Sequence, residues 1–212
     1  METKKIIITI NREYGSGGRE IAMKIGEKLG LKVFDKAALD GLIAKFGLTE
    51  TEIEKIKSVK PSWWDDFCDF YRPFPSIDPT MEENKKVTSR QLYHAEAKIL
   101  RDIAAKESCI IVGRSGFHIF KGEKNVSKLF IIAEEEHRVH RIMERLGVDE
   151  NEARQQIEEV DTARENYTRS FAGVSRYDAR NYDMVVNVTG METDLIADFF
   201  VNLIRQKYQI PA

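Results

Sequence analysis

The feature that most limits how this chain can fold is a glycine-rich turn set between two different periodicities. Lys5 to Ile10 is short, apolar and rich in β-branched residues, the mark of a buried strand. Gly15-Ser16-Gly17-Gly18 follows closely. Ile21, Ala22, Ile25 and Leu29 then recur at helical spacing, and Gly30 suits the position just past a helix end. A strand that passes into a helix through such a turn can converge backbone N–H groups on an anion, and the helix N-terminus adds positive potential. Glycine serves there because side chains would block close approach and because part of the turn takes positive φ. The bland alternative is a plain flexible connection; the strand before the turn and the amphipathic helix after it weigh against that.

The rest of the chain continues the alternation. Lys32 to Phe34 is a second short strand, closed by Asp35, and Leu92 to Ile103 is helical in pattern. Cys109 to Val112 is a buried strand ending at Gly113-Arg114, and Leu129 to Ile132 is another. Val139, Ile142, Met143 and Leu146 mark one helix, and a second starts at Asp149 with Glu152 in the capping-box position. Met184 to Val188 is a fifth strand, and Leu195, Ile196, Phe199, Phe200, Leu203 and Ile204 form the apolar face of a last helix. This order predicts an α/β fold, a three-layer parallel sheet of about five strands with helices on both faces. Ligands in such folds bind at the C-terminal strand ends, here just after Ile10, Phe34, Val112, Ile132 and Val188.

The 212 residues suit a single domain, 1–212. Within it, Thr49-x-x-Glu52 opens a helix that Pro61 stops. Pro61 to Lys86 then holds every proline except Pro211, both tryptophans and Asp65-Asp66. Pro61 to Lys86 reads as an irregular insert rather than a separate domain, and with the helix before it makes up an insert of 49–86. Trp63, Trp64, Phe67, Phe70 and Tyr71 within it cover a core edge or stack a base, the first being the commoner use of such residues.

With 42% hydrophobic and 32% charged residues the chain is too apolar for disorder, and its net charge of −2 gives no basic field for nucleic acid. No apolar run reaches membrane-spanning length or forms a signal peptide, so a cytoplasmic location is the default expectation. Cys68 and Cys109 have no metal-ligand spacing, nor do His94, His118, His137 and His140.

A standard phosphate loop ends in Gly-Lys-Ser/Thr, the lysine on the phosphates and the hydroxyl on Mg²⁺. Here the end reads Gly18-Arg19-Glu20. Arg19 can supply the charge as a planar fork, and Glu20 can hold Mg²⁺ through oxygen. A dinucleotide fingerprint fits poorly, because Glu20 stands where its third glycine belongs.

The opening stretch, Ile8-Thr9-Ile10-Asn11-Arg12-Glu13-Tyr14-Gly15-Ser16-Gly17-Gly18-Arg19-Glu20-Ile21-Ala22, resembles that of the cytidylate kinase-like family, P-loop proteins whose glycine loop lacks the usual lysine. Three later blocks agree in order: Leu29 to Asp35, Ile110 to Arg114, and Asp161-x-x-Arg164-x-x-Tyr167 followed by Tyr182 to Asn187. The resemblance implies a nucleoside monophosphate kinase fold with a small acceptor-binding insert and an arginine-bearing lid, here 149–178. It implies ATP as donor, with Mg²⁺, and a CMP-like monophosphate as acceptor. Arg12 and the loop from Gly15 to Glu20 would take the donor phosphates, and Asp35 and Arg114 the acceptor. Arg19, Asp161 and Arg164 would serve catalysis, with Arg154, Arg164 and Arg169 on the lid. Ser115 departs from the family's Gly-Arg-Asp pattern.

Phosphoryl transfer is mostly positioning and charge neutralisation, and arginine suits phosphate. On the residues alone, Arg138, Arg141 and Arg145 share one side of a helix. For Arg141, Arg145 and Arg154 a solvated face is the commoner role, whereas Arg114 and Arg164 sit in family-like motifs. Asp35 can bind Mg²⁺ through water, hold the acceptor, or cap a helix. Two functions fit: ATP-dependent phosphorylation of a small acceptor, or a nucleotide-binding regulatory protein with little turnover. In the first, Arg164 is expected to enter the site only when both nucleotides are bound.

Overall fold

The computed structural model describes residues 5–35 and 89–211. The insert 49–86, with its tryptophans and Cys68, lies outside these. In chain order the elements are β1 (Ile7–Arg12), α1 (Gly18–Leu29), β2 (Lys32–Phe34), α2 (Ser89–Lys106), β3 (Cys109–Val112), α3 (Gly116–Ile119), β4 (Val126–Ile132), α4 (Glu135–Leu146), α5 (Glu150–Ala172), β5 (Met184–Asn187) and α6 (Thr193–Tyr208). A 3₁₀ turn at Ala179–Asn181 precedes β5.

The five strands form one parallel sheet in the order β2-β3-β1-β4-β5. β1 is central, and it runs two residues further toward the loop than Ile10. Asn11 and Arg12 pair with Phe130 and Ile131 of β4, so polar residues that read as turn belong to the strand. β4 likewise starts at Val126, because Val126, Ser127 and Lys128 pair with Ile7, Ile8 and Thr9. The chain leaves β1 toward one side of the sheet, to β2, and the later connection from β3 to β4 crosses to the other side of β1. Its C-terminal end is therefore the topological switch point, where an open α/β sheet leaves a crevice for ligand.

The period of two along each strand divides the core. Ile8, Ile10, Ile110, Val112, Leu129 and Ile131 face α1 and α6 and meet Ile21, Ile25, Phe200 and Ile204. Ile7, Cys109 and Ile111 face the other way, against Tyr93, Ala97 and Leu100 of α2 and Phe120 after α3. Burial pushes the Cys109 thiol up to about 12, which makes it an inert apolar filler. A third cluster joins α4 to α5 through Val139, Ile142, Ala153, Ile157 and Val160, with Tyr14 from the loop. Asp149 accepts the Glu152 N–H at 2.9 Å, so α5 starts at the expected cap. No helix among the described residues is long and apolar enough to cross a membrane.

Phe200 is fully buried where α6 meets the sheet. Phe200→Ala should cost about 3–5 kcal/mol of stability, read as a lower urea midpoint at unchanged slope.

Candidate active site

β1 delivers the chain to the crevice at Arg12, and the loop from Glu13 to Gly17 turns it into α1. Gly15 and Gly17 have φ of 82° and 79°, in the left-handed region that glycine enters without steric cost. A Cβ on Gly15 would also press on the Arg138 carbonyl oxygen at 2.9 Å. Gly17 is the N-cap of α1 and has no side chain to offer the first-turn N–H groups. Such N–H groups at a helix start are the kind that can hold an anion. Ser16 is buried, and its Oγ donates to the Glu13 carbonyl at 2.9 Å, closing the turn.

Asp161 of α5 holds the loop from beneath. It is 8% exposed and accepts the Tyr14 N–H through both oxygens, at 3.0 and 3.2 Å. Arg138 Nη1 donates to it at 2.9 Å, and Arg164 Nη1 and Arg176 Nη1 each at 3.3 Å. Arg164 also donates to the Arg12 carbonyl at 3.2 Å, and Arg176 Nη2 bonds the same oxygen. The Tyr14 ring is covered by the guanidiniums of Arg145 and Arg164, 5.2 and 5.7 Å from its centroid, and Arg145 donates to its hydroxyl at 2.9 Å. Glu13 accepts the Ala133 N–H at 3.0 Å. Burial raises the Glu13 carboxyl above its usual range, against the pull of that N–H and of Arg138.

Two of the residues expected to act on phosphate turn elsewhere. Arg19 is 66% exposed, and its Nε donates to Asp35 at 2.7 Å, tying the start of α1 to the end of β2. Glu20 accepts from Thr193 Oγ1 at 2.7 Å and pairs with Arg141 at 3.1 Å and Lys24 at 3.4 Å. The Thr193 hydrogen bond leads in holding its carboxyl below the usual range. Both Glu20 oxygens are thus engaged by protein partners, and among the described residues no group of three or more acidic, histidine or cysteine side chains is placed to hold a metal ion. The side chain of Arg12 lies along Gly18 and ends against Gly113.

At the end of β3, Gly113, Arg114 and Ser115 take φ of 80°, 55° and 50°. Two non-glycine residues in the left-handed region are strained, and such strain persists where surrounding structure fixes it. It turns Arg114 inward. Its buried guanidinium meets Glu96 at 2.9 Å, and the Tyr167 hydroxyl donates to the other Glu96 oxygen at 2.9 Å. Burial, with the Glu96 charge, raises that hydroxyl well above its ordinary value. Ser115 Oγ lies 3.3 Å from Thr168 Oγ1.

Of the expected lid residues only Arg164 lies at the loop. Arg154 ties Glu135 and Glu136 of α4 to Glu150 of α5, and Arg169 pairs with Glu165 at the surface. α5 is unbroken from Glu150 to Ala172 and packs on α4, with Arg164 already against the loop. The sequence reading missed Arg176, which is 2% exposed in the coil after α5 and carries no periodic signal. It also missed Glu96, which had one: a carboxylate beside Tyr93, Ala97 and Leu100 in the buried stripe of α2.

A family model described as the cytidylate kinase-like family matches residues 7–190. The chain belongs to the cytidylate kinase-like family. Among solved structures it is similar to an uncharacterized protein from Eubacterium ventriosum ATCC 27560, at 25% identity and a TM-score of 0.71, over 96% of this chain and 99% of that one. A gluconokinase from Sinorhizobium meliloti 1021 shares the fold at 11% identity and a TM-score of 0.51, over 99% of this chain and 96% of its own. A shikimate kinase from Acinetobacter baumannii, solved with shikimate, does so at 11% and 0.50, over 96% and 95%. No protein of curated function matches the chain. The five-stranded parallel sheet is thus that of a P-loop kinase fold.

Asp161→Ala would leave Arg138, Arg164 and Arg176 around an emptied buried site. Loss of one partner from a buried ionic cluster costs about 3–5 kcal/mol, so a comparable fall in unfolding free energy by urea titration is expected.

Proposed function

We propose that this protein transfers the γ-phosphoryl group of ATP to a nucleoside monophosphate, CMP-like, or to a similarly small anionic acceptor. The observation that carries this is the glycine loop at the switch point of the sheet, opening into the first turn of α1, with the Asp161-bound Arg164 and Arg176 packed against its backbone. The triphosphate would lie along the backbone of Gly15 to Arg19. Arg164, next to the loop, would stabilise the transferring group, and the buried Arg114 at the neighbouring strand end would hold the acceptor. Mg²⁺ arriving on the triphosphate would neutralise charge on its oxygens.

A second reading, a nucleotide-binding regulator with little turnover, draws on Ser115. Its hydroxyl is held by Thr168 at the position where the family pattern carries a carboxylate. An ADP-release screen over monophosphate acceptors separates the two readings. ADP formation with one acceptor supports the enzyme; nucleotide binding without turnover on any acceptor supports the regulator.

Gly17→Val puts a β-branched side chain at φ 79° and its Cβ 3.1 Å from the Arg141 guanidinium, which would distort the turn proposed to hold the phosphates. It should weaken binding of a non-hydrolysable ATP analogue in calorimetry, and unchanged affinity in the folded variant would exclude this loop. For the active acceptor, Arg164→Ala should lower kcat by roughly a thousandfold while ATP affinity stays within a few fold.

A further inference from the structure

Gly18 and Gly113 lie on different elements, yet one side chain bars a Cβ from both. A Cβ on Gly18 would fall 2.5 Å from Arg12 Cβ and 3.0 Å from its Cγ. A Cβ on Gly113 would fall on Arg12 Nη1 and 3.4 Å from Cζ. The stem of Arg12 therefore crosses the first residue of α1, and its guanidinium ends at the turn after β3, next in sequence to Arg114. It spans the ground between the donor loop and the strand end that carries the acceptor-side arginine.

The standard loop pattern, Gly-x-x-x-x-Gly-Lys-Ser/Thr, places its lysine directly after its second glycine. Here α1 begins at Gly18, directly after the left-handed N-cap Gly17. Laid on that geometry, the second glycine of the pattern is Gly17, the lysine position is Gly18 and the first glycine position is Arg12. The two special positions have been exchanged: where the pattern has Gly and Lys, this chain has Arg and Gly. Arg19, one residue further, is exposed and bonded to Asp35 at the end of β2.

We propose that Arg12 takes the place of the missing loop lysine, its guanidinium carried across Gly18 from the end of β1 to the point where the phosphoryl group is transferred. The proposal rests on the kinase reading above. A lysine would be a point charge there, whereas the planar fork of arginine can bridge oxygens of donor and acceptor at once. Gly18 is then required by packing, since the Arg12 stem fills the volume that a side chain at that position would need.

The exchange can be reversed. Calorimetry with a non-hydrolysable ATP analogue is run on the full chain as wild type, Arg12→Met, Arg12→Lys, Gly18→Lys, Arg12→Gly, and Arg12→Gly combined with Gly18→Lys. Wild type binds. Arg12→Met, which keeps the stem and drops the charge, loses roughly tenfold to a hundredfold in affinity, the range expected of a charge-assisted contact. Arg12→Lys keeps most of it. Gly18→Lys alone is disruptive, because its stem collides with Arg12. In the combined variant that volume is vacated, and affinity recovers well above that of Arg12→Gly. Wild-type affinity in Arg12→Met overturns the proposal, as does a folded combined variant no better than Arg12→Gly. If the combined variant does not fold, the comparison of Arg12→Met with Arg12→Lys decides. A wild type that binds no triphosphate removes the kinase reading and this proposal together; a binding wild type with indifferent Arg12 variants removes only the assignment of Arg12.

Discussion

The carboxylate of Asp161 is the interaction on which the rest of the site depends. Taking a carboxylate out of water costs several kcal/mol unless hydrogen bonds replace its hydration. Here the Tyr14 N–H and three guanidiniums supply that replacement. The donors come from the loop, from α4, from α5 and from the coil beyond it, and Tyr14 and Asp161 are 147 residues apart in sequence. They meet at one carboxylate, so the shape of the glycine loop depends on the packing of α4 against α5 as well as on its own glycines. The Arg12 carbonyl extends the same network, since Arg164 and Arg176 reach it as well as Asp161.

That network also explains why so many arginines stand near a loop that lacks a lysine. A cation fixed on a helix start can follow the helix; a cation launched from a strand end must be guided. Arg12 leaves β1 with its carbonyl clamped by two guanidiniums and its stem laid along Gly18. The clamped backbone and the two glycines confine a long side chain to one path. A contact made by this guanidinium would then forgo less rotamer entropy than one made by a surface arginine.

The sheet was legible in the sequence because its strands are short apolar runs bounded by turns. Cys109 to Val112 reads as strand from composition alone, and the structure has it there. Strand ends were harder to place. Asn11 and Arg12 are polar, yet they continue β1 because β4 offers backbone partners, and pairing of that kind leaves no local trace. The loop itself was legible, since strand, glycines and helix follow one another within a few residues. The direction of its side chains was not. Arg19 turns to Asp35 and Glu20 to Thr193, Arg141 and Lys24, partners that lie far along the chain for all but Lys24. Arg176 was invisible for the same reason: its meaning lies in Asp161 and the Arg12 carbonyl, and nothing in the coil around it is periodic. The cytidylate kinase-like likeness recovered Arg164 and Asp161 because it carries such long-range pairings within a motif.

The same helix that anchors the loop also reaches the other strand end. Asp161 and Arg164 face β1, while one turn further on Tyr167 donates to Glu96, the partner of Arg114, and Thr168 meets Ser115. Positions three and four apart stack on one face of a helix, at a rise of about 1.5 Å per residue. The separation between the glycine loop and Arg114 is therefore spanned by a single rigid element as well as by the sheet. Glu96 is the less obvious part of this arrangement. A buried guanidinium without a counter-charge would be expelled or disordered, and a carboxylate that bonds it on one oxygen and Tyr167 on the other holds it in a single orientation. The strained backbone of Arg114 and Ser115 aims the side chain, Glu96 fixes it, and α5 relates it to the loop. Any displacement of α5 must therefore carry its contacts at both strand ends together, those of Asp161 and Arg164 at β1 and those of Tyr167 and Thr168 at β3.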